Sequence, residues 1–476
     1  MSKFPGSLLA AFTAAIISVS AVPSAVYAQT SIIDLSDAKQ GAAASSQIGC
    51  LSIPVLKRTS PEDETLTATA GFTPISSRTV KADSADLPSS FDMRNIYGTS
   101  TVKDQDEYGT CWAHAAIESA QSSLIEADPF IDLSELHTAF YNYYGEDQIQ
   151  LFGKSVKETL KEGGSSGMVS NLWSQWIGPV NESRLPYSDV DFFNDGYQLD
   201  YMRYQSDYHM RNSYSFEYDK ERENFEAVNS TLKEFIYNGR SVDVSYMSSK
   251  SQNWSDTYKS SYTTRKPRFA NHAVTIVGWD DNFSAYNFKT TPQGDGAWLC
   301  KNSWGTDEGD NGYFWLSYYD SSLADFAVFE LQNVEGDEII YQYDSFSPIQ
   351  TLSAYDTVEE NGPSYMADIF MGDPYTQIGS VGTYFYNAGT EYEVTVYTNL
   401  TEPTVPTSGT PSAVTKGVSN LTGFMTIDLD EPVVLEEDST FAVVVKLYCP
   451  DTPYVIPIES SMYIEDAQGK KTDVTG

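Results

Sequence analysis

The sequence predicts two unlike folding units in tandem: an α+β unit built of two different halves, followed by an all-β sandwich. Three observations lead to this. Small and apolar residues over 111–126 follow a helical pattern, ahead of strand-like runs at 273–279, 297–301 and 312–316. After about residue 338, short alternating runs recur at 364–371, 377–387, 391–399, 421–429 and 440–448, separated by Gly, Pro, Asn and Thr. Finally, 476 residues with 41% hydrophobic and 13% aromatic content supply apolar material for more than one core.

In chain order, the first element is a targeting signal over residues 1–28. Lys3 gives a positive start, Leu8 to Val22 is mostly apolar and small, and Val26-Tyr27-Ala28 fits a signal-peptidase site. The apolar run is too short and interrupted for a comfortable membrane span, and no later segment is apolar enough to cross a bilayer. Gly49-Cys50 resembles the end of a lipoprotein box. However, Gln47 stands where an aliphatic residue is needed, so that reading fails. Residues 29–86, rich in Ala, Ser, Thr and Asp with weak periodicity, read as a pro-segment or linker. Leu87-Pro88 opens a different texture, which continues to about 337.

Within that unit, Ala115, Ala116, Ser119, Ala120 and Ser123 lie among Trp112, Ile117 and Leu124, as in a closely packed helix. A second helix is expected over 223–238, with Phe225, Val228, Leu232, Phe235 and Ile236 on one stripe and Gly239 as its stop. Val242-Asp243-Val244 then alternates as a strand. Residues 338–476 form the β-sandwich, in which the Pro/Thr/Ser-rich stretch 401–412 reads as a loop. There is no internal repeat.

Charge and composition exclude several classes. Lys and Arg total 29 against 66 Asp and Glu, a net charge of −37. Such a chain repels phosphate backbones and anionic lipid, so nucleic acid is not an expected partner. The four cysteines, Cys50, Cys111, Cys300 and Cys449, are too sparse for a disulfide scaffold, and no CxxC spacing suggests zinc. Four histidines, His114, His137, His209 and His272, complete the short stock of groups suited to catalysis.

The informative segment is Gln105-Asp106-Glu107-Tyr108-Gly109-Thr110-Cys111-Trp112-Ala113-His114. Here a cysteine opens a helix after a glycine-containing turn. A helix N-terminus favours an anion and so raises the thiolate fraction. An upstream amide such as Gln105 can donate toward the same space and stabilise the oxyanion of a tetrahedral intermediate. On its own, Cys111 reads rather as a buried free cysteine beside a core tryptophan. Two distant segments change that. Asn271-His272-Ala273 begins the 273–279 strand, and Asn302-Ser303-Trp304-Gly305 follows the 297–301 strand. A thiol nucleophile needs a base, and the base needs a polar group to fix its tautomer.

These motifs resemble the papain-like cysteine peptidases from Leu87 to about Tyr319. Leu87-Pro88-Ser89-Ser90-Phe91-Asp92-Met93-Arg94 looks like the family's mature start. Gln105…Cys111-Trp112-Ala113, Leu133-Ser134-Glu135, Gly163-Gly164-Ser165, Leu185-Pro186-Tyr187, Asn271-His272-Ala273-Val274 and Lys301-Asn302-Ser303-Trp304-Gly305 follow in the family's order. The C-terminal strands add a likeness to bacterial surface members with an appended lectin-like domain. The resemblance implies a papain-like two-lobed domain over 87–337. In it, Cys111 is the nucleophile, His272 the base, Asn302 its orienting partner, and Gln105 part of the oxyanion site. Gly163, Gly164 and Asn271 are implied to contact substrate, and Trp304 to shield the His272–Asn302 contact. The chain departs from the family at Tyr108, where many members have a cysteine bonded to one near the glycine pair, so this wall is expected to rely on packing. His114 replaces a usual aromatic and is expected to face the packing side. Cys300 reads as a small buried hydrophobe. Asp307-Glu308-Gly309-Asp310-Asn311-Gly312 lacks the spaced ligands of a calcium loop.

The expected protein is an exported cysteine endopeptidase, secreted or at a bacterial cell surface, that needs no cofactor or metal for its chemistry. The C-terminal unit is expected to dock on a surface glycan or protein, with Tyr365, Tyr375, Tyr384, Tyr386 and Tyr397 as candidate contacts. The alternatives are a cell-wall amidase with the same chemistry, or an adhesin using the unit as a scaffold. No sortase-type anchor is visible, and a native chain extending past Gly476 is compatible with this reading.

Overall fold

The computed structural model describes residues 51–57, 87–143, 156–161, 163–190, 200–265, 270–334, 338–343, 350–353, 361–373, 376–436, 439–458, 463–465 and 471–473. The targeting signal, Cys50, Tyr375 and most of the 29–86 segment lie outside the described residues.

The helices are α1 (Cys111–Ser122), α2 (Glu135–Tyr143), α3 (Val156–Thr159), α4 (Ser166–Ser174) and α5 (Phe225–Tyr237). The strand β1 (Leu51–Lys57) precedes the first unit, whose strands are β2 (Ser90–Asp92), β3 (Tyr208–Phe216), β4 (Val242–Tyr246), β5 (Trp254–Ser255), β6 (Ser260–Ser261), β7 (His272–Asp280), β8 (Ala297–Lys301), β9 (Tyr313–Ser317) and β10 (Ala324–Asn333). Those of the C-terminal region are β11 (Glu338–Tyr341), β12 (Gln350–Leu352), β13 (Ser364–Met371), β14 (Thr376–Phe385), β15 (Thr390–Thr398), β16 (Thr410–Ser419), β17 (Gly423–Val434), β18 (Thr440–Tyr448), β19 (Ile456–Ile458), β20 (Tyr463–Glu465) and β21 (Lys471–Asp473).

The two halves of the first unit form around α1. This helix is buried almost all round because Ala113, Ala115, Ala116 and Ala120 let neighbours approach closely. On one side its apolar residues share a core with α2, α4, β3 and β10. Its other side lies on β4 and β7, where Thr275 Oγ1 donates to Ala115 O at 3.2 Å and Ser119 Oγ donates to Ser241 O at 2.8 Å. The far face of that sheet is covered by α5, whose Val228, Leu232, Phe235 and Ile236 pack with Val242, Val244, Trp279 and Trp298.

In the C-terminal region, the sheet β13-β18-β15-β16 faces strands β14 and β17. Val394, Val396, Phe441, Val443 and Val445 meet Ile378, Val381 and Ile427 in one core, as the alternation requires of a sandwich. The sheet does not stop at the boundary between the units. It runs β11-β1-β14-β17-β3-β10-β4-β7-β8-β9-β6-β5, with β2 paired to β7. The bridge is β17 on β3, with Gly423 opposite Tyr214, Phe424 opposite Ser213 and Met425 opposite Asn212. Gly423 sits at φ 128°, and a Cβ there would strike Ser213 O.

Three differences from the sequence reading follow. The strand β1 comes from the segment read as pro-segment or linker, and it pairs with both β11 and β14. The stretch 401–412, read as a loop, is overtaken by β16 from Thr410. The strands β3 and β10 carry no clean alternation and had no counterpart in the sequence reading. In β10, Phe326, Ala327, Val328 and Phe329 are all buried because both faces of that strand are covered. Among the described residues, no helix is long and apolar enough to cross a membrane.

Candidate active site

The start of α1 leaves its amides available. Its cap residue Thr110 makes no side-chain capping bond, because its hydroxyl instead meets Tyr187 Oη at 2.5 Å. Cys111 is half-buried, and the backbone amides of Ala273, Trp112 and Cys111 itself point their partial positive charge toward its sulfur. Burial pushes the thiol pKa up, these amides pull it back, and the Asp243 carboxylate adds a smaller upward push.

His272 opens β7 and is buried. Its Nε2 lies 2.8 Å from Asn302 Oδ1, and the same oxygen accepts the Ser303 amide at 2.8 Å. Because Oδ1 can only accept, Nε2 carries the proton in this contact, leaving Nδ1 as the basic nitrogen of the neutral ring. Trp304 stacks on the imidazole at 4.3 Å between centroids and 22° between planes, covering the His272–Asn302 contact. Burial lowers the imidazole pKa to about 4, although the Asn302 hydrogen bond opposes that shift.

Gln105 is fixed to the loop that carries Asn302. Its amide donates to Ser303 O at 2.9 Å, its Oε1 accepts Ser303 Oγ at 2.7 Å, and its Nε2 donates to Tyr108 O at 2.7 Å. A side-chain amide has two N–H groups, so one remains beyond the Tyr108 bond. Tyr187 Oη also donates to Gln105 O at 3.0 Å, so one phenol ties Gln105 to the cap of α1.

The structure therefore joins His272, Trp304, Asn302 and Gln105 through the Ser303 loop, and sets Ala273, the residue after His272, beside Cys111. The remaining candidates divide. An added Cβ at Gly163 meets nothing within 4 Å, whereas one at Gly164 would lie 2.4 Å from the Trp112 ring, so Gly164 is needed for packing against the tryptophan. The Asn271 side chain clasps Ser248, accepting its amide at 2.7 Å and donating to its carbonyl at 3.1 Å. His114 is buried edge-on to Tyr187, with Nδ1 3.0 Å from Thr110 O; burial lowers its pKa to about 3. Cys300 is fully buried in β8. Tyr108 is buried, and Gly109 N donates to Leu160 O at 2.8 Å, so packing and a backbone bond hold this wall.

Buried ion pairs to which the sequence reading assigned no role complete the support. Lys301 and Glu118, both buried, pair at 2.6 Å behind the site, and Lys103 holds Asp132 at 2.7 Å and Glu135 at 2.8 Å. The available signal was charge inside otherwise small or apolar runs: Glu118 within α1, and Lys301 at the end of β8. Of the C-terminal tyrosines, Tyr365 and Tyr386 are exposed, whereas Tyr384 Oη donates to Ser174 Oγ at 3.2 Å, across the junction with the first unit.

Comparisons with known proteins bear on the family and the fold. The sequence profile of the papain family of cysteine proteases matches residues 87–329, and that of a lectin-like domain matches residues 340–473. The chain is 28% identical over 241 residues to a viral cathepsin of Spodoptera litura multicapsid nucleopolyhedrovirus, covering 50% of this chain and 59% of the viral protein. It is 27% identical over 258 residues to a cysteine protease of Blomia tropicalis, covering 50% of this chain and 63% of that protein. Both relatives therefore extend well beyond the matched part. Among solved structures, the clostridial cysteine protease Cwp84 after propeptide cleavage superposes with a TM-score of 0.61 at 21% identity, covering 81% of this chain and 95% of the other. The cysteine protease and lectin-like domains of Cwp84, a surface layer associated protein of Clostridium difficile, give 0.59 at 21% identity and 80% coverage of each chain. At that identity the likeness is one of fold: a papain-like domain followed by a lectin-like β domain.

Proposed function

We propose that this chain, which belongs to the papain family of cysteine proteases, is an exported endopeptidase acting through Cys111, His272, Asn302 and Gln105. The observation that carries the reading is the His272 Nε2–Asn302 Oδ1 bond of 2.8 Å under Trp304, with Cys111 at the open start of α1 near Ala273.

Burial disfavours a lone thiolate and a lone imidazolium alike. Proton transfer from Cys111 to His272 Nδ1 therefore creates both charges together, each offsetting the other. The thiolate attacks the scissile carbonyl. The remaining Gln105 Nε2–H and the Cys111 amide hold the oxyanion. His272 gives its proton to the departing amine, and water then hydrolyses the thioester with His272 as base. Asn302 keeps the imidazole in the tautomer both steps require. The backbone at Gly163 and Gly164, together with Asn271, borders the bound peptide. Residues 87–337 form the catalytic unit and 29–86 a pro-segment or linker.

The lectin-like domain docks the enzyme on a surface glycan or protein, placing it at a bacterial cell surface. Exposed Tyr365 and Tyr386 support that role, because their rings can stack on a sugar or a protein side chain. Release of amino groups from casein, compared with release from purified peptidoglycan, tests the reaction class. Casein hydrolysis with intact peptidoglycan is expected; the reverse would make the enzyme a cell-wall amidase.

A further inference from the structure

The strand β1 precedes Leu87, yet both of its partners lie in the C-terminal region. On one edge it runs antiparallel to β11, with Ile53 opposite Tyr341, Pro54 opposite Ile340, Val55 opposite Ile339 and Leu56 opposite Glu338. On the other it runs antiparallel to β14, from Leu51 opposite Thr383 to Lys57 opposite Thr376, with a register shift between Ser52 and Val55. It is thus an interior strand, and β11 has no other strand partner among the described residues. Leu51 is 2% exposed and Ile53 0%, and both share the sandwich core with Val381, Phe385 and Phe441.

The strand that β1 holds also reaches the first unit. Glu338, paired with Leu56, places Oε2 3.1 Å from Nδ1 of His209 on β3, with both side chains buried. His209 in turn stacks on Trp176, at 3.6 Å between centroids and 11° between planes. A strand from the segment before the catalytic unit therefore fills the sheet of the C-terminal region and secures β11 where it meets β3.

We propose that β1 is retained after processing: a cut between Lys57 and Leu87 divides the chain in two without releasing residues 51–57. The slot between β11 and β14 binds this strand as a separate peptide. Its departure would leave two rows of backbone groups unpaired and open the core beneath Leu51 and Ile53. None of those contacts involves the covalent link to Leu87, which adds only effective concentration to the binding. A cut at Asp86-Leu87 alone therefore leaves the severed segment tethered to the enzyme through β1. Freeing the rest of the segment takes a further cut closer to Lys57. The proposal deepens the reading of 29–86 as a pro-segment or linker and does not depend on the protein's own activity.

The test uses the full chain carrying Cys111→Ala, with the recognition sequence of a site-specific protease, flanked by glycine and serine, inserted after Gly71. The cut protein is passed through size exclusion in native buffer and in concentrated guanidinium chloride, and the fractions are identified by mass spectrometry. The peptide containing residues 51–57 is expected to elute with the large fragment in native buffer and apart from it in denaturant. Ile53→Asp should lower the Tm of the uncut chain by about 5 °C or more and release the peptide on cutting. Ile53→Ala, the milder change, should shorten the peptide's residence on the cut protein by about tenfold or more. Free peptide from the cut parent protein in native buffer would overturn the proposal, as would an Ile53→Ala protein that keeps the peptide as long as its parent. Neither result touches the peptidase reading, which the casein assay tests separately.

Discussion

His272→Ala is expected to lower turnover by about 10²–10⁴-fold while the protein stays folded. The imidazole contacts Asn302 through one nitrogen and Trp304 through its face, and neither contact joins distant parts of the core. His114→Phe is the matched control, because His114 lies in the same helix as the nucleophile. Its ring packs on Tyr187, its Nδ1 meets Thr110 O, and its Nε2 is buried without a partner. Phenylalanine keeps the ring contact and removes the orphaned nitrogen, at the cost of one hydrogen bond worth about 1 kcal/mol. Steady-state kinetics and thermal melts on both variants decide the assignment. A dead His114→Phe beside an active His272→Ala would reverse it.

The second large effect concerns the junction between the units. A chain ending at residue 337 should lose more than about 5 °C in Tm, or fail to accumulate as soluble protein. Truncation strips β17 from β3, leaving an unpaired strand edge. It also removes Phe424, which lies in the same core cluster as Trp112 and Trp173, and burial of such a ring contributes about 1.5–3 kcal/mol. Differential scanning calorimetry measures the loss. A truncated protein as stable as the full chain would show that the continuous sheet adds nothing. Docking is therefore tested in the full chain: replacing Tyr365 and Tyr386 together by serine should reduce cell attachment while leaving small-peptide hydrolysis in place.

The proposed catalytic residues could be picked out in the sequence because their chemistry constrains residue type and flanking structure together. A cysteine at a helix start, a histidine at a strand start and an asparagine just after a strand are each rare enough to combine. The sandwich was legible because its strands bury one face. The missed strands lack that signal. In β10 consecutive residues are buried, and β3 reads Tyr-His-Met-Arg-Asn-Ser-Tyr-Ser-Phe, mixing polar and aromatic side chains without a clear period. Asp243 illustrates the limit most clearly. Alternation over Val242-Asp243-Val244 identified the strand, and an ordinary two-faced strand would have turned the acid to water. Instead it faces α1, because this sheet is covered on both sides. Which face of a strand meets solvent depends on what packs over it, and that is set by residues far away in sequence.

The most direct test of the account is hydrolysis of a peptide library by Cys111→Ala, alongside Cys300→Ala. Cys111 is half-buried at the start of α1, where nearby backbone amides offset part of the burial that raises its thiol pKa, whereas Cys300 is enclosed in β8 with its thiol pKa raised well above the ordinary value by burial. Cys111→Ala should melt like the wild type and show no turnover above background, while Cys300→Ala should retain most of its activity on the same peptides. Full activity in a folded Cys111→Ala protein would contradict the account.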